Sequence, residues 1–216
     1  IDLNGKTLTA KDIYPVIRVQ GGANVTVKNG NIINANDYVF VLGSSDKATA
    51  GNLTIESGEY VGETTVVSVT KGVLTITGGK FAVSESEYGA TYLINCYDAN
   101  LKNGTAKIVV SGGTFVGFNP EENAAENPAV DFTADGYIGV EDGNGNYIVR
   151  EGEWVAKVGN KKFESLADAI AAADENATVV VIADHKVTEP VVIEKNIIID
   201  LNGKTLTAKD IYPVIR

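Results

Sequence analysis

The sequence has no methionine, one cysteine, one histidine and one tryptophan among its 216 residues. A single cysteine cannot form an internal disulfide bond, and a single histidine cannot supply a histidine-rich metal site. No run approaches the roughly 18 consecutive apolar residues that a membrane-spanning helix requires. These absences exclude a disulfide-stabilised scaffold, a histidine-rich metal centre and a helical membrane span.

Basic residues are also scarce, because 18 Lys and Arg stand against 28 Asp and Glu, for a formal net charge of −10. Sequence-independent binding of nucleic acid depends on basic side chains that neutralise phosphates, so we expect no nucleic-acid partner. The chain is instead rich in glycine, with 23 residues, and in Val, Ile and Thr. This composition favours strands joined by tight turns.

The two ends of the sequence are identical, because residues 1–18 and residues 199–216 both read IDLNGKTLTAKDIYPVIR. The copies are offset by 199 − 1 = 198 residues, and residues 196–198 extend the second copy backwards as the same apolar strand. We expect the chain to be a window onto a longer polypeptide of nearly identical 198-residue units. Deliberate engineering, such as a permuted or overlapping design, is the alternative explanation.

A weaker motif recurs inside the unit: an alternating strand, a glycine, and a large apolar residue two or three positions later. The motif glycines are Gly5, Gly30, Gly58, Gly79 and Gly113, and the apolar residues after them are Leu8, Ile32, Tyr60, Phe81 and Phe115. Their spacing of 21 to 34 residues allows two or three short strands per repeat. The pattern predicts an all-β parallel solenoid with glycine corners and stacked apolar residues.

An antiparallel sandwich is the main rival, although it would need hairpin turns every 8–12 residues or so, which only part of the spacing fits. In the solenoid, the irregular spacing is explained by polar insertions. Three segments, Ser44–Gly51, Ser84–Gly89 and Asn119–Asn127, are predicted to project as loops from one edge.

Residues Phe163–Glu175 are the one segment with convincing helical periodicity. Ser165 is a candidate N-cap with Asp168 three residues later. The apolar stripe consists of Leu166, Ala169, Ile170 and Ala173. We expect one short α-helix that caps the first coil, since that coil exposes an apolar cross-section and open strand edges.

A closing β-hairpin is predicted at Tyr137–Val149, around the turn at Asp142–Gly145. Residues 1–150 would then comprise the β-helix coils and closing hairpin of one tandem unit. Residues 153–216 would comprise the cap helix and first coils of the next unit.

The segment Trp154–Leu206 resembles the opening of pectate-lyase-like parallel β-helix domains of bacterial secreted and surface proteins. The similar features are the cap-helix pattern G…F-x-S-L-x-x-A-I at residues 159–170, the first strand T-V-x-V at residues 178–181 and the coil I-D-L-N-G-K-T-L at residues 199–206. The resemblance implies a right-handed, single-stranded parallel β-helix and an extracellular location. It does not imply enzymatic activity, because the same fold serves lyases, hydrolases, adhesins and inert stalks.

Candidate chemical groups are few. Arginine occurs only at Arg18, Arg150 and Arg216, and no two aspartates are adjacent, so paired-carboxylate catalysis is unsupported. Asp142–Asn146 has the D-x-N-x-N spacing of a calcium loop, but Tyr147 and Gly152 occupy the positions that need Gly and Glu, so a hairpin turn is preferred. We expect no catalytic residue, no cofactor and no metal site.

The remaining candidates have structural interpretations. His185 is predicted to be a solvated loop residue, and Cys96 a small core residue. Tyr88, Tyr92 and Tyr97 could form a sugar-stacking platform, although tyrosines on β-helix strands usually belong to the core. A Thr-x-Thr ladder for ice binding is limited to a few positions and is a weak hypothesis.

These observations favour a non-enzymatic structural module of an extracellular or cell-surface bacterial fibre, stalk or adhesin. Its partners would be neighbouring copies of itself, joined head to tail through stacked β-helix units. A carbohydrate-binding or polysaccharide-processing β-helix is the alternative, with surface glycans as partners.

Overall fold

The computed structural model describes residues 1–44, 50–84, 92–123, 125–126, 128–208 and 215. The chain divides into two compact units, residues 1–151 and residues 152–216. Strands predominate in both units and wind into about eight turns of β-solenoid in total. This confirms the predicted all-β parallel β-helix. That the two units belong to successive copies of a repeat stays a prediction.

The first unit contains strands β1 to β14 and one short helix. The strands of its first coils are β1 (Asp2–Ala10), β2 (Ile17–Val19), β3 (Asn24–Asn34), β4 (Phe40–Leu42), β5 (Gly51–Ile55), β6 (Glu59–Gly62) and β7 (Val67–Val69). The later elements are β8 (Gly72–Ile76), β9 (Lys80–Val83), β10 (Ile94–Cys96), α1 (Asp98–Lys102), β11 (Ala106–Val110), β12 (Gly113–Val116), β13 (Tyr137–Glu141) and β14 (Asn146–Glu151).

Three parallel sheets form the walls of this unit. The first joins β1, β3, β6, β9 and β12, the second joins β3, β5, β8 and β11, and the third joins β2, β4, β7 and β10. Each coil contributes a strand to each wall, so successive coils stack along the solenoid. At the far end β14 pairs antiparallel with β12, and β13 pairs antiparallel with β14. The predicted closing hairpin is therefore confirmed.

The large apolar residues after the corners stack in register, as predicted. Leu8 pairs with Ile32, Ile32 with Tyr60, Tyr60 with Phe81 and Phe81 with Phe115. The ring centroids of Tyr60 and Phe81 lie 5.4 Å apart, and those of Phe81 and Phe115 lie 5.0 Å apart at an interplanar angle of 6°. We call Ile32, Tyr60, Phe81 and Phe115, all fully buried, the aromatic column.

The corner glycines have the predicted left-handed backbone at most positions, with φ of 119° at Gly58, 105° at Gly79 and 108° at Gly113. Gly30 differs, because the left-handed residue there is Asn29, with φ of 58°. A Cβ on Gly30 would overlap the Leu3 side chain and the Lys6 carbonyl oxygen, so this glycine is required for close approach of two coils.

Two of the predicted projecting loops, Ser44–Gly51 and Ser84–Gly89, lie largely outside the described residues. The prediction is wrong for Asn119–Asn127, since the described residues of this segment fold back onto the unit. Asn123 and Glu126 are buried, with 1% and 3% of their surface exposed. Asn123 Nδ2 donates to the Val130 carbonyl oxygen, which holds the segment against the core.

The second unit is built on a small sheet and one helix. Its elements are β15 (Ala156–Val158), β16 (Lys161–Phe163), α2 (Leu166–Ala172), β17 (Thr178–Val181), β18 (His185–Val187), β19 (Ile198–Asp200) and β20 (Leu206–Ala208). The strands β15, β16 and β17 are antiparallel, whereas β17 pairs parallel with β19 and β18 pairs parallel with β20. One end of this unit is thus closed by a hairpin, and the coils begin at β17.

The predicted cap helix is present but shorter than expected. The Ser165 hydroxyl accepts a hydrogen bond from the Asp168 backbone N–H at 3.0 Å, which confirms Ser165 as the N-cap. Leu166, Ala169, Ile170 and Ala173 are buried against Val155 and Val179, as their spacing predicted. The helix ends early because Ala173 has an extended backbone, with ψ of 139°. In the described part of the chain, the helices are too short and polar to cross a membrane.

Candidate functional site

An open cleft of about 620 Å³ lies on the outer face of the sheet formed by β2, β4, β7 and β10. Its lining combines aromatic rings, two basic side chains and small polar groups: Tyr14, Arg18, Val41, Ser44, Thr70, Lys71, Tyr97 and Asn100. All of these residues belong to the first unit. We call it the tyrosine cleft.

Strand alternation places Arg18 in the cleft. Ile17 and Val19 on either side of it pack toward the core, so the Arg18 side chain points outward. In register beside Arg18 lie Val41, Ser68 and Asn95 of the next three coils. Arg18 and Val41, which line the cleft, therefore belong to a row of outward-facing residues from successive coils.

The two tyrosines come from loops at opposite ends of this row. The Arg18 guanidinium lies 5.5 Å from the centre of the Tyr14 ring, and Tyr38 packs edge-on against the same ring at 5.4 Å. Tyr97, which is 61% exposed, precedes helix α1. Asn100 on this helix donates to the Thr70 carbonyl oxygen at 2.6 Å, which fixes the helix beside the cleft.

The chemistry of the tyrosine cleft suits binding. Exposed aromatic faces stack on the apolar faces of sugar rings, and Arg18 and Lys71 add positive charge in a chain whose net charge is −10. Tyr97 is one of the three tyrosines predicted as a platform. Tyr92 is half-buried before β10, and Tyr88 lies outside the described residues. The sequence pattern missed Tyr14, which is 83 residues away from Tyr97 in the chain (97 − 14 = 83).

A second feature is a pair of carboxyl groups, from Asp98 and Glu126, whose proximity the sequence pattern did not predict. Glu126 Oε1 accepts a hydrogen bond from the Cys96 backbone N–H at 2.8 Å. Burial, together with the negative charge of the neighbouring Asp98, raises the pKa of Glu126 to about 7. Both residues line a cavity of about 270 Å³ beside helix α1. A buried carboxyl group that is partly protonated near neutral pH is the result.

The other sequence candidates have clear structural roles. Asp142 caps the turn of the closing hairpin, because its carboxylate accepts from the backbone N–H groups of Asn144 and Asn146 at 2.8 and 3.2 Å. The Asn146 side-chain amide also donates to this carboxylate at 2.8 Å, and this hydrogen bond together with the backbone ones lowers the pKa of Asp142. The D-x-N-x-N spacing is thus that of a turn. Among the described residues, no group of three or more His, Cys, Asp and Glu side chains is placed to hold a metal ion.

Cys96 lies in the core, whereas His185 lies in a short strand. Cys96 is 5% exposed, and burial raises the pKa of its thiol to about 12, which confirms it as a core residue. The prediction for His185 is wrong, since this residue lies in strand β18, paired with Leu206, and is only partly exposed. The turn was misplaced because β18 has only three residues.

Comparisons with known proteins gave no match, whether against protein-family models, curated proteins or solved structures. The feature that this chain has in common with pectate-lyase-like domains is therefore the parallel β-solenoid itself.

Proposed function

We propose that this chain is a non-enzymatic structural module of an extracellular tandem-repeat fibre, stalk or adhesin of the pectate-lyase-like kind, in which units join head to tail. The observation that carries the proposal is the identity of residues 1–18 with residues 199–216. A parallel β-solenoid supports a mechanical role, because its backbone hydrogen bonds run along the long axis and each coil adds a constant rise. The net charge of −10 would keep an array soluble and discourage lateral collapse.

Electron microscopy of the native material tests this proposal. In a fibre whose turns stack continuously, about eight turns per chain at about 4.8 Å each predict a constant axial repeat of about 40 Å. Antibodies against the tyrosine cleft should label each repeat once. Isolated globules without a constant repeat would refute the fibre.

The tyrosine cleft favours a second function, the binding of surface glycans. Arg18 and Lys71 would pair with a carboxylated sugar while Tyr14 and Tyr97 stack on its rings. Glycan-array binding and titration calorimetry should show that Arg18→Ala weakens binding at least about tenfold. Arg150→Ala is the matched control, because Arg150 is an exposed arginine on the closing hairpin. Equal binding by both variants would rule out the cleft as the site.

A further inference from the structure

The two identical copies of the terminal segment adopt the same local structure. We call residues 1–10 the first copy and residues 199–208 the second copy. Asn4 and Asn202 both have left-handed backbone, with φ of 49° and 48°, and Gly5 and Gly203 both have φ of 71°. In each copy the aspartate carboxylate accepts a hydrogen bond from the asparagine backbone N–H, at 2.9 Å from Asn4 to Asp2 and 2.8 Å from Asn202 to Asp200.

The two copies have strand partners on opposite sides. The first copy pairs with β3, a strand that comes later in the chain. The second copy pairs with β17 and β18, the strands that precede it. Among the described residues, the other edge of each copy lacks a strand partner. One copy thus shows what lies after the segment, and the other shows what lies before it.

The burial of the two leucines of each copy is complementary. Leu3 packs against the core of the first unit, whereas the equivalent Leu201 is 45% exposed. Leu206 packs against the core of the second unit, whereas the equivalent Leu8 is 43% exposed. A single copy with strand partners on both edges would bury both leucines, and burial of apolar side chains is the main force that stabilises stacked coils.

We infer that the free edge of β1 is an interaction surface, and that its partner is the segment 178–187 of another copy of this repeat. The segment 178–187 and the coils of residues 1–151 are then parts of one continuous β-helix in which the repeated segment is the shared coil. This inference rests on the proposed tandem arrangement and deepens it, since it assigns the segments on both sides of the repeated segment to one β-helix.

The register of the junction follows from the pairs in the second unit. Val180 pairs with Asp200 and His185 pairs with Leu206, so Val180 would lie beside Asp2 and His185 beside Leu8. Leu8 already continues into the aromatic column through Ile32. The Asp184 carboxylate, which accepts from the Thr205 N–H at 2.7 Å, would accept from the equivalent Thr7 N–H. The column would thereby extend by one coil.

Disulfide trapping with the full chain tests the register. Lys186 pairs with Thr207, whose equivalent is Thr9, and residues paired on neighbouring strands lie within disulfide range. One protein carries Thr9→Cys, and the other carries Lys186→Cys with Thr207→Pro, which weakens pairing of the second copy with β18. Both carry Cys96→Ala. We expect the yield of the mixed disulfide between Cys at position 9 and Cys at position 186 to be at least about fivefold higher than with a Lys107→Cys control protein. The reason is that the yield follows the population of the paired state. Equal yields would overturn the inference.

A reordered chain, residues 152–216 followed by residues 19–151, provides a second measurement. It keeps every residue of one 198-residue period and a single copy of the repeated segment. Amide hydrogens of residues 199–208 should exchange at least about tenfold more slowly than in the 216-residue chain, because the segment gains β3 as a neighbour. Unchanged exchange, or failure of the reordered chain to fold, would contradict the inference. If the native material nevertheless formed filaments, such a result would refute this junction but not the proposed fibre.

Discussion

Gly58 stands at a corner where two coils meet backbone to backbone. Its φ of 119° lies in a region that favours glycine, and a Cβ there would overlap the Gly30 carbonyl oxygen of the preceding coil. Gly58→Ala should therefore destabilise the first unit by about 3 kcal/mol or more, because backbone strain and overlap add. Urea unfolding followed by circular dichroism measures this loss.

Gly143 provides the matched control for the corner. Its φ of 81° is also left-handed, but nothing lies within 4 Å of an added Cβ. Gly143→Ala should cost only about 1 kcal/mol, from the strain alone. If both alanine variants lost the same stability, close approach of the coils would not be what requires glycine at position 58.

Glu126 makes stability depend on pH. Its folded-state pKa of about 7 lies above its ordinary value of 4.5, so the folded protein binds more protons between these pH values. The contribution of protonated Glu126 to the free energy of unfolding is fully present below about pH 4.5 and is lost as the pH rises through about 7. We expect Glu126→Gln to flatten this part of the pH profile and to be more stable than the parent at pH 8.

Thermal unfolding from pH 4 to pH 8 measures the effect on both proteins. Glu122→Gln is the control, since Glu122 lies in the same segment and is exposed. A Glu126→Gln variant with the parent's full pH dependence would show that another group is responsible.

The sequence could predict the corners at this scale but not the buried carboxyl group. A corner glycine is visible because it recurs at a fixed place before an apolar residue, as at Gly58 and Gly79. Glu126 meets Asp98 and Cys96 only because a polar, proline-flanked segment folds inward, and polar composition favours the opposite expectation. No local pattern encodes that contact.

Among the elements, the strands of the first sheet are held by the aromatic column. Phe81 is fully buried, with Tyr60 on one side and Phe115 on the other. Phe81→Ala should destabilise the first unit by about 3–5 kcal/mol, since it removes a ring from the middle of the stack and leaves a cavity. Calorimetry and urea unfolding provide the measurement.

Tyr97→Ala is the control for this element, because Tyr97 is 61% exposed and should cost less than about 0.5 kcal/mol. An equal loss for the two variants would show that the column does not stabilise the coils. The column was predictable because its members share one place in each repeat. Helix α1, by contrast, has five residues, none of them fully buried, so its sequence carries no helical periodicity.

At the scale of the whole molecule, the 216 residues form two compact units with separate cores. Ile170 of helix α2 is 3% exposed and belongs to the core of the second unit. Ile170→Ala should destabilise that unit by about 2–5 kcal/mol and accelerate amide exchange at residues 156–187. Exchange at β5, β8 and β11 should stay unchanged.

Phe81→Leu supplies the reciprocal measurement, because it should accelerate exchange in the first unit and leave α2 and β17 unchanged. If either substitution accelerated both units equally, the chain would unfold as one cooperative body. In the reordered chain the expectation reverses: a shared coil would couple the two cores, so Ile170→Ala should also accelerate exchange at β3. Amide exchange at β3 in the Ile170→Ala variant thus distinguishes the two arrangements. We expect two separate units in the 216-residue chain and two parts of one solenoid in the reordered chain.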